Sequence, residues 1–125
     1  MPPTWHPQTE LVHGGTLRSP HGETSEALFL TSGFAYERAE DAEARFNETQ
    51  PGYTYSRVGN PTVRMLEERM ALLEGSQECA ATASGMAAVH AALMCQLRTG
   101  MRVVGSALLF GSCHWIVSTL LPRYG

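Results

Sequence analysis

Residues 60–88 read NPTVRMLEERMALLEGSQECAATASGMAA, and the fold turns on how this stretch is parsed. Asn60 followed by Pro61 is a helix start. The asparagine side chain can accept a free first-turn N–H, and the fixed φ of proline suits the first helical position, where no N–H is needed. Val63, Leu66, Met70 and Leu73 then recur at spacings of three, four and three. That spacing predicts one apolar helix face, with Arg64, Glu67, Glu68 and Glu74 mainly off it. Gly75 supplies the left-handed position that ends such a helix. The small residues of 79–83 suit a buried strand, and Ser84 caps a second helix, rich in alanine, methionine and leucine, to about residue 97.

Toward the carboxyl end, Thr99-Gly100 breaks that helix, residues 102–105 (RVVG) read as a second short strand, and residues 112–121 as a third helix ahead of Pro122. Helix, strand, helix, strand, helix is the beginning of an α/β layer with a mostly parallel sheet. Two short strands cannot make a sheet covered on both faces, so residues 61–125 are predicted to be the incomplete start of a larger α/β domain.

Toward the amino end the character changes. Residues 1–60 show little sustained periodicity and are rich in glycine, proline, threonine and serine. A short helix is expected over 8–13, ended by Gly14-Gly15, and two helical turns over 39–46 (AEDAEARF). The apolar run 27–30 is too brief to assign. Residues 49–59, TQPGYTYSRVG, are loop chemistry carrying Tyr53, Tyr55 and Arg57. A segment with so little core of its own is expected to be an arm that packs on another surface.

Composition narrows the function classes. The 125 residues are 43% hydrophobic with a formal charge of −3. Nothing resembles a basic nucleic-acid stripe or a polybasic membrane patch, so neither partner is expected. The chain has nine arginines and no lysine at all. Cys79, Cys95 and Cys113 lie far apart without a CxxC spacing, which suits small buried apolar residues in a reducing compartment. His6, His13, His21, His90 and His114 are not at metal-ligand spacing, and no metal is expected. No apolar run approaches the roughly 20 residues of a membrane span. The opening ten residues carry no basic-then-apolar targeting pattern, so the parent protein is expected to be soluble and cytoplasmic.

Three local features could carry chemistry. Ser84-Gly85-Met86 opens a helix after a predicted strand: free amides and the helix dipole make an anion site, and Gly85 places no Cβ in the way. A simple capped helix explains the same residues. Tyr55-Ser56-Arg57 puts a guanidinium fork beside a phenol, a pairing suited to phosphate oxygens and equally to an ordinary solvated loop. Phe110 lies between the second predicted strand and the third helix, where open α/β sheets bind ligands and a ring can stack on a flat heterocycle. A core phenylalanine at the sheet edge would look the same.

Taken together, YSRVGNPT (55–62), LEERMALLEG (66–75), ASGMAA (83–88) and LLFG (108–111) resemble, in order and spacing, the Cys/Met-metabolism family of fold-type I pyridoxal-phosphate enzymes. The family includes cystathionine synthases and lyases, methionine gamma-lyase and the homoserine-ester sulfhydrylases. The resemblance covers residues 11–125. It implies the N-terminal part of that fold, pyridoxal 5'-phosphate as cofactor, an amino-acid substrate, and a homo-oligomer of dimer pairs, a tetramer in the full-length parent. It also implies that the amides of Gly85 and Met86 hold the cofactor phosphate, that Tyr55 and Arg57 of the 1–60 arm reach the phosphate of a neighbouring subunit, and that Phe110 stacks over the pyridine. Most members carry tyrosine where this chain has Phe110, so a hydroxyl that could assist proton transfer is missing. That departure, with SEALFLTSGF (25–34) and LFGSCHW (109–115), most resembles the O-succinylhomoserine sulfhydrylase branch. The implied reaction is gamma-replacement, in which succinate leaves and sulfide adds to give homocysteine. Cystathionine gamma-synthase and methionine gamma-lyase are the alternatives within the family, and a non-catalytic assembly module is the alternative outside it.

The cofactor requires a lysine amine and a carboxylate partner for its ring nitrogen. This chain has no lysine, and its one aspartate, Asp41, sits in an early helical segment. The expected catalytic residues within the chain are therefore none, and a truncated enzyme is the simplest account. Isolated residues 1–125 mixed with pyridoxal phosphate are expected to give no borohydride-trappable adduct on an internal side chain. Mass mapping checks this: label on the Met1 amine is the one permitted signal, and label anywhere else contradicts the expectation.

Overall fold

The structure, a computed structural model, describes residues 5–125. Residues 1–4, part of the opening stretch read for targeting signals, lie outside the described residues. The chain forms two compact units, Met1–Ala80 and Ala81–Gly125.

In the first unit, α1 (Pro7–His13), α2 (Ala39–Phe46) and α3 (Pro61–Glu74) lie where the sequence predicts helices. Asn60 caps α3 by accepting from the amide of Thr62 at 2.8 Å, Pro61 follows, and Gly75 ends the helix at φ +61°. Helix α1 packs on α3. The contact is close because Gly14-Gly15 carry no side chains: a Cβ on Gly15 would lie 2.9 Å from Glu68 Cβ, and one on Gly14 would lie 2.6 Å from Leu72 Cδ1. Arg69 holds this junction. Its Nε donates to the carbonyl of Gly14 at 3.0 Å, one terminal nitrogen donates to Thr16 Oγ1 at 3.0 Å, and the same group pairs with the carboxylate of Glu26. A neighbouring turn is closed by Glu23, whose carboxylate accepts from the hydroxyl and amide of Ser19 at 2.6 and 2.7 Å. Those bonds hold its pKa down to about 2.

The predicted core face of α3 is not the buried one. Val63, Leu66, Met70 and Leu73 are all exposed, whereas Met65 and Ala71 are buried. Spacing along the helix marks an apolar face but does not decide which side the rest of the unit covers. Among the described residues the buried apolar side chains are Pro61, Met65, Ala71 and Ile116, a small core for a chain of this length.

The second unit holds α4 (Gly85–Met94) and α5 (Gly111–Trp115), which pack against each other. Ser84 caps α4 through its Oγ, accepting from Ala87 N at 3.2 Å. The helix ends at Met94 rather than near residue 97. Helix α5 also ends early. It widens into a π-helical turn, Ile116–Leu120, and then tightens into a 3-10 turn, Leu121–Tyr124. Pro122 has no N–H to return to the preceding turn, so the regular bonding pattern cannot run through it.

Neither predicted strand, 79–83 or 102–105, forms a ladder, and the pairing seen outside helices among the described residues is one antiparallel bridge, Gly33 with Tyr55. A strand exists only where another strand takes its N–H and C=O groups, and among the described residues neither segment joins a ladder. No helix among the described residues is long and apolar enough to cross a membrane.

Candidate cofactor-binding site

The loop carrying Tyr55 and Arg57 is fixed at its base rather than at its tip. Ser56 donates its amide to the carbonyl of Ser32 at 2.9 Å and its hydroxyl to the carbonyl of Thr31. Asn60, 8% exposed, donates from Nδ2 to the carbonyl of Phe29 and to Ser56 Oγ, both at 2.9 Å. The amide of Phe29 returns a bond to Thr62 Oγ1 at 2.9 Å. Segment 29–33, the tyrosine–arginine loop and the start of α3 are thus bound into one polar knot. Phe34 and Tyr53 add a ring contact at 5.4 Å beside it. Desolvation, the largest effect, raises the Tyr53 pKa above its usual value.

From this base Tyr55 and Arg57 project outward. Both are exposed, and the Arg57 guanidinium carbon sits 5.3 Å from the centre of the Tyr55 ring. The ring thereby narrows the space the guanidinium can sample, at a gain of about 0.5–1 kcal/mol for an exposed pair. The two residues are brought together as a cationic group ready to meet an anion.

Gly85 and Met86 open α4. With Ser84 Oγ occupied by Ala87 N and Ser84 O by Ala88 N at 3.0 Å, the first two amides of the helix have no partner within it, as at any helix start. Nothing lies within 4 Å of a Cβ built on Gly85, so an anion can approach these amides directly. This opening fits a phosphate group in charge and in room.

Phe110 stands at the start of α5, where its carbonyl accepts from His114 N at 2.9 Å. Its ring is 72% exposed and free to stack on a planar group. Phe110 and the Gly85–Met86 pair open the two helices that pack together in this unit. A cavity of about 430 Å³ in the same unit is lined by Met94, Leu97, Met101, Val103, Val117 and Leu121 among others, and neither Gly85 nor Phe110 borders it. Tyr55 and Arg57 belong to the other compact unit. Among the described residues no group of histidine, cysteine or acidic side chains has the arrangement to hold a metal ion.

Sequence reasoning missed the reach of Asn60, read only as a cap, and missed Ser56, Thr62 and Arg69. The bonds Asn60 and Thr62 make to residue 29 and the fan from Arg69 to residues 14–26 join positions dozens of residues apart. No local pattern announces such partners. The one available signal was an asparagine followed by Pro-Thr, three residues that all proved to sit at the knot.

The second unit thus offers an open helix start and an exposed aromatic at the next helix start, and the first unit offers an arginine-bearing loop. Solved structures show the fold to which the chain belongs. The chain matches a putative O-acetylhomoserine (thiol)-lyase from Campylobacter jejuni, solved with N'-pyridoxyl-lysine-5'-monophosphate, at a TM-score of 0.90 and 30% identity over 98% of this chain and 30% of that one. It matches cystathionine gamma-lyase from Lactobacillus plantarum at a TM-score of 0.80 and 27% identity, over 97% of this chain and 29% of that one. The fold is part of a fold-type I PLP-dependent enzyme. The model of the Cys/Met metabolism PLP-dependent enzymes matches residues 8–125, and the chain belongs to that family. Among curated relatives, O-succinylhomoserine sulfhydrylase of Mycobacterium tuberculosis is 51% identical over 91% of this chain and 28% of its own length. The Pseudomonas aeruginosa protein of the same name is 45% identical over 94% and 29%. An L-methionine gamma-lyase of Fusobacterium nucleatum is 36% identical over 94% and 30%. The chain spans under a third of the length of these relatives.

Proposed function

We propose that the chain is the front part of a homoserine-ester sulfhydrylase that replaces the acyl group of O-succinylhomoserine with sulfide. The carrying observation is the higher identity to the two O-succinylhomoserine sulfhydrylases than to the methionine gamma-lyase. The lack of lysine and the short span relative to those proteins support the view that the rest of the catalytic machinery belongs to a longer protein. In that protein the enzyme is a cytoplasmic homo-oligomer of dimer pairs, and residues 1–60 act as the arm that touches a neighbouring subunit.

PLP, when bound, supplies an electron sink that stabilises negative charge on carbons next to the substrate nitrogen. The chain's own residues bind and orient. The amides of Gly85 and Met86, at the positive end of α4, would donate to phosphate oxygens. Arg57, beside the Tyr55 ring, would add a full positive charge toward the phosphate of a neighbouring subunit's cofactor. One such contact near 4 Å is worth on the order of 4 kcal/mol at an effective dielectric of 20, before desolvation. Phe110, exposed at the start of α5, would stack on the cofactor ring and exclude water from that face. It has no hydroxyl, so it moves no proton, and any proton transfer at that position falls to another residue.

Two expected outcomes follow. In the complete enzyme, Gly85→Val sets a branched side chain at the opening of α4, where no atom of this chain lies within 4 Å of the new Cβ. It weakens binding of pyridoxine 5'-phosphate by at least about tenfold; unchanged affinity by fluorescence titration would contradict the phosphate assignment. The complete enzyme is also expected to form homocysteine from O-succinylhomoserine only when sulfide is supplied. Release of ammonia and a keto acid from methionine at a comparable kcat/KM would select the gamma-lyase reading instead.

A further inference from the structure

The stacking role given to Phe110 asks what fixes the ring, because a side chain 72% exposed has few contacts of its own. The answer lies one residue earlier. Leu108 is 94% exposed and Leu109 only 37%, so Leu109 is the more covered of the two leucines that precede Phe110. It reaches the space that a side chain on Gly105 would fill: a Cβ built there would lie 3.3 Å from Leu109 Cδ1 and 3.6 Å from Val117 Cγ1. Methyl groups of Leu109 and Val117 therefore meet at the space left by the missing side chain of Gly105. Val117 stands in the π-helical turn that follows α5, so the clasp joins the beginning of the loop to the element after it. Within the loop, Ser106 Oγ accepts from Leu108 N at 3.1 Å. On the far side, the Phe110 carbonyl is tied into α5 through His114 N at 2.9 Å.

We infer that the Gly105–Leu109–Val117 clasp positions Phe110, making Leu109 a positioning residue for cofactor stacking although it need not touch the cofactor. The inference rests on the reading of Phe110 as the stacking ring. With the clasp in place, the Phe110 backbone is held on both sides and the ring pays less ordering entropy when a planar ligand arrives. Without it, the loop between Gly105 and α5 keeps only the Ser106 turn. Gly105 is part of the device for a steric reason: a methyl group at that position would press on Leu109 at a distance where the leucine must give way.

The test uses the complete protein without PLP and follows hydrogen exchange of residues 106–111. It also measures the affinity for pyridoxine 5'-phosphate, which has no aldehyde and so reports the non-covalent cradle alone. Leu109→Ala is expected to speed exchange in 106–111 and weaken the probe about tenfold. Gly105→Ala should move both readouts the same way by less, and Leu109→Met should restore both. Phe110→Ala should weaken the probe without speeding exchange at 106–109. Unchanged exchange in Leu109→Ala overturns the clasp. Faster exchange in Leu109→Ala with unchanged affinity, while Phe110→Ala loses affinity, overturns the positioning role. Unchanged affinity in Phe110→Ala removes the stacking reading on which the role depends.

Discussion

Asn60 spends its whole side chain on three bonds, and the first compact unit is organised around them. Its oxygen accepts from Thr62 N and starts α3, while its nitrogen donates to Phe29 O and Ser56 Oγ. The residue is buried, so each bond must be made or a desolvated polar group is left without a partner. That requirement ties helix α3, the segment before the Gly33–Tyr55 bridge and the loop carrying Arg57 into a single arrangement. An apolar residue could bury as well but could not hold three backbone and hydroxyl partners at fixed distances. In a unit with so few buried apolar side chains, this polar knot and the Arg69 fan take on work that a larger core would otherwise do.

The second unit relies on helix openings instead. Ser84 satisfies one amide and leaves two facing outward, and Gly85 keeps the approach clear. Phe110 opens the next helix with its ring in solvent. Large apolar side chains are also exposed on α3 in the first unit and along residues 101–109 in the second. The chain spans under a third of the length of its relatives.

Much of the helical framework was legible from local rules. Asn60-Pro61, Gly75 and Ser84 act as start and stop signals through side-chain and backbone chemistry that needs no distant partner, and α1, α2 and the start of α4 lie where composition places them. What depended on neighbours was not legible. The stripe Val63, Leu66, Met70 and Leu73 has sound helical spacing, yet spacing names a face and not its partner, and Met65 and Ala71 are buried instead. Residues 79–83 and 102–105 have strand composition, but composition cannot supply the second strand. Of the site, the pairing of Tyr55 with Arg57 and the open amides at Gly85 follow from adjacent residues. The knot at Asn60 and the clasp on Gly105 come from contacts that only three dimensions reveal.

The dependence on Asn60 is tested most directly by hydrogen exchange on Asn60→Asp in the complete protein, at a pH where the new carboxylate is ionised. Aspartate keeps the oxygen that caps Thr62 and loses both donors. The account predicts faster exchange at the amides of Ser56 and Phe29 with the first turn of α3 still protected. Unchanged protection at Ser56 and Phe29 would contradict it, because the arm and the loop would then be held by something other than this residue.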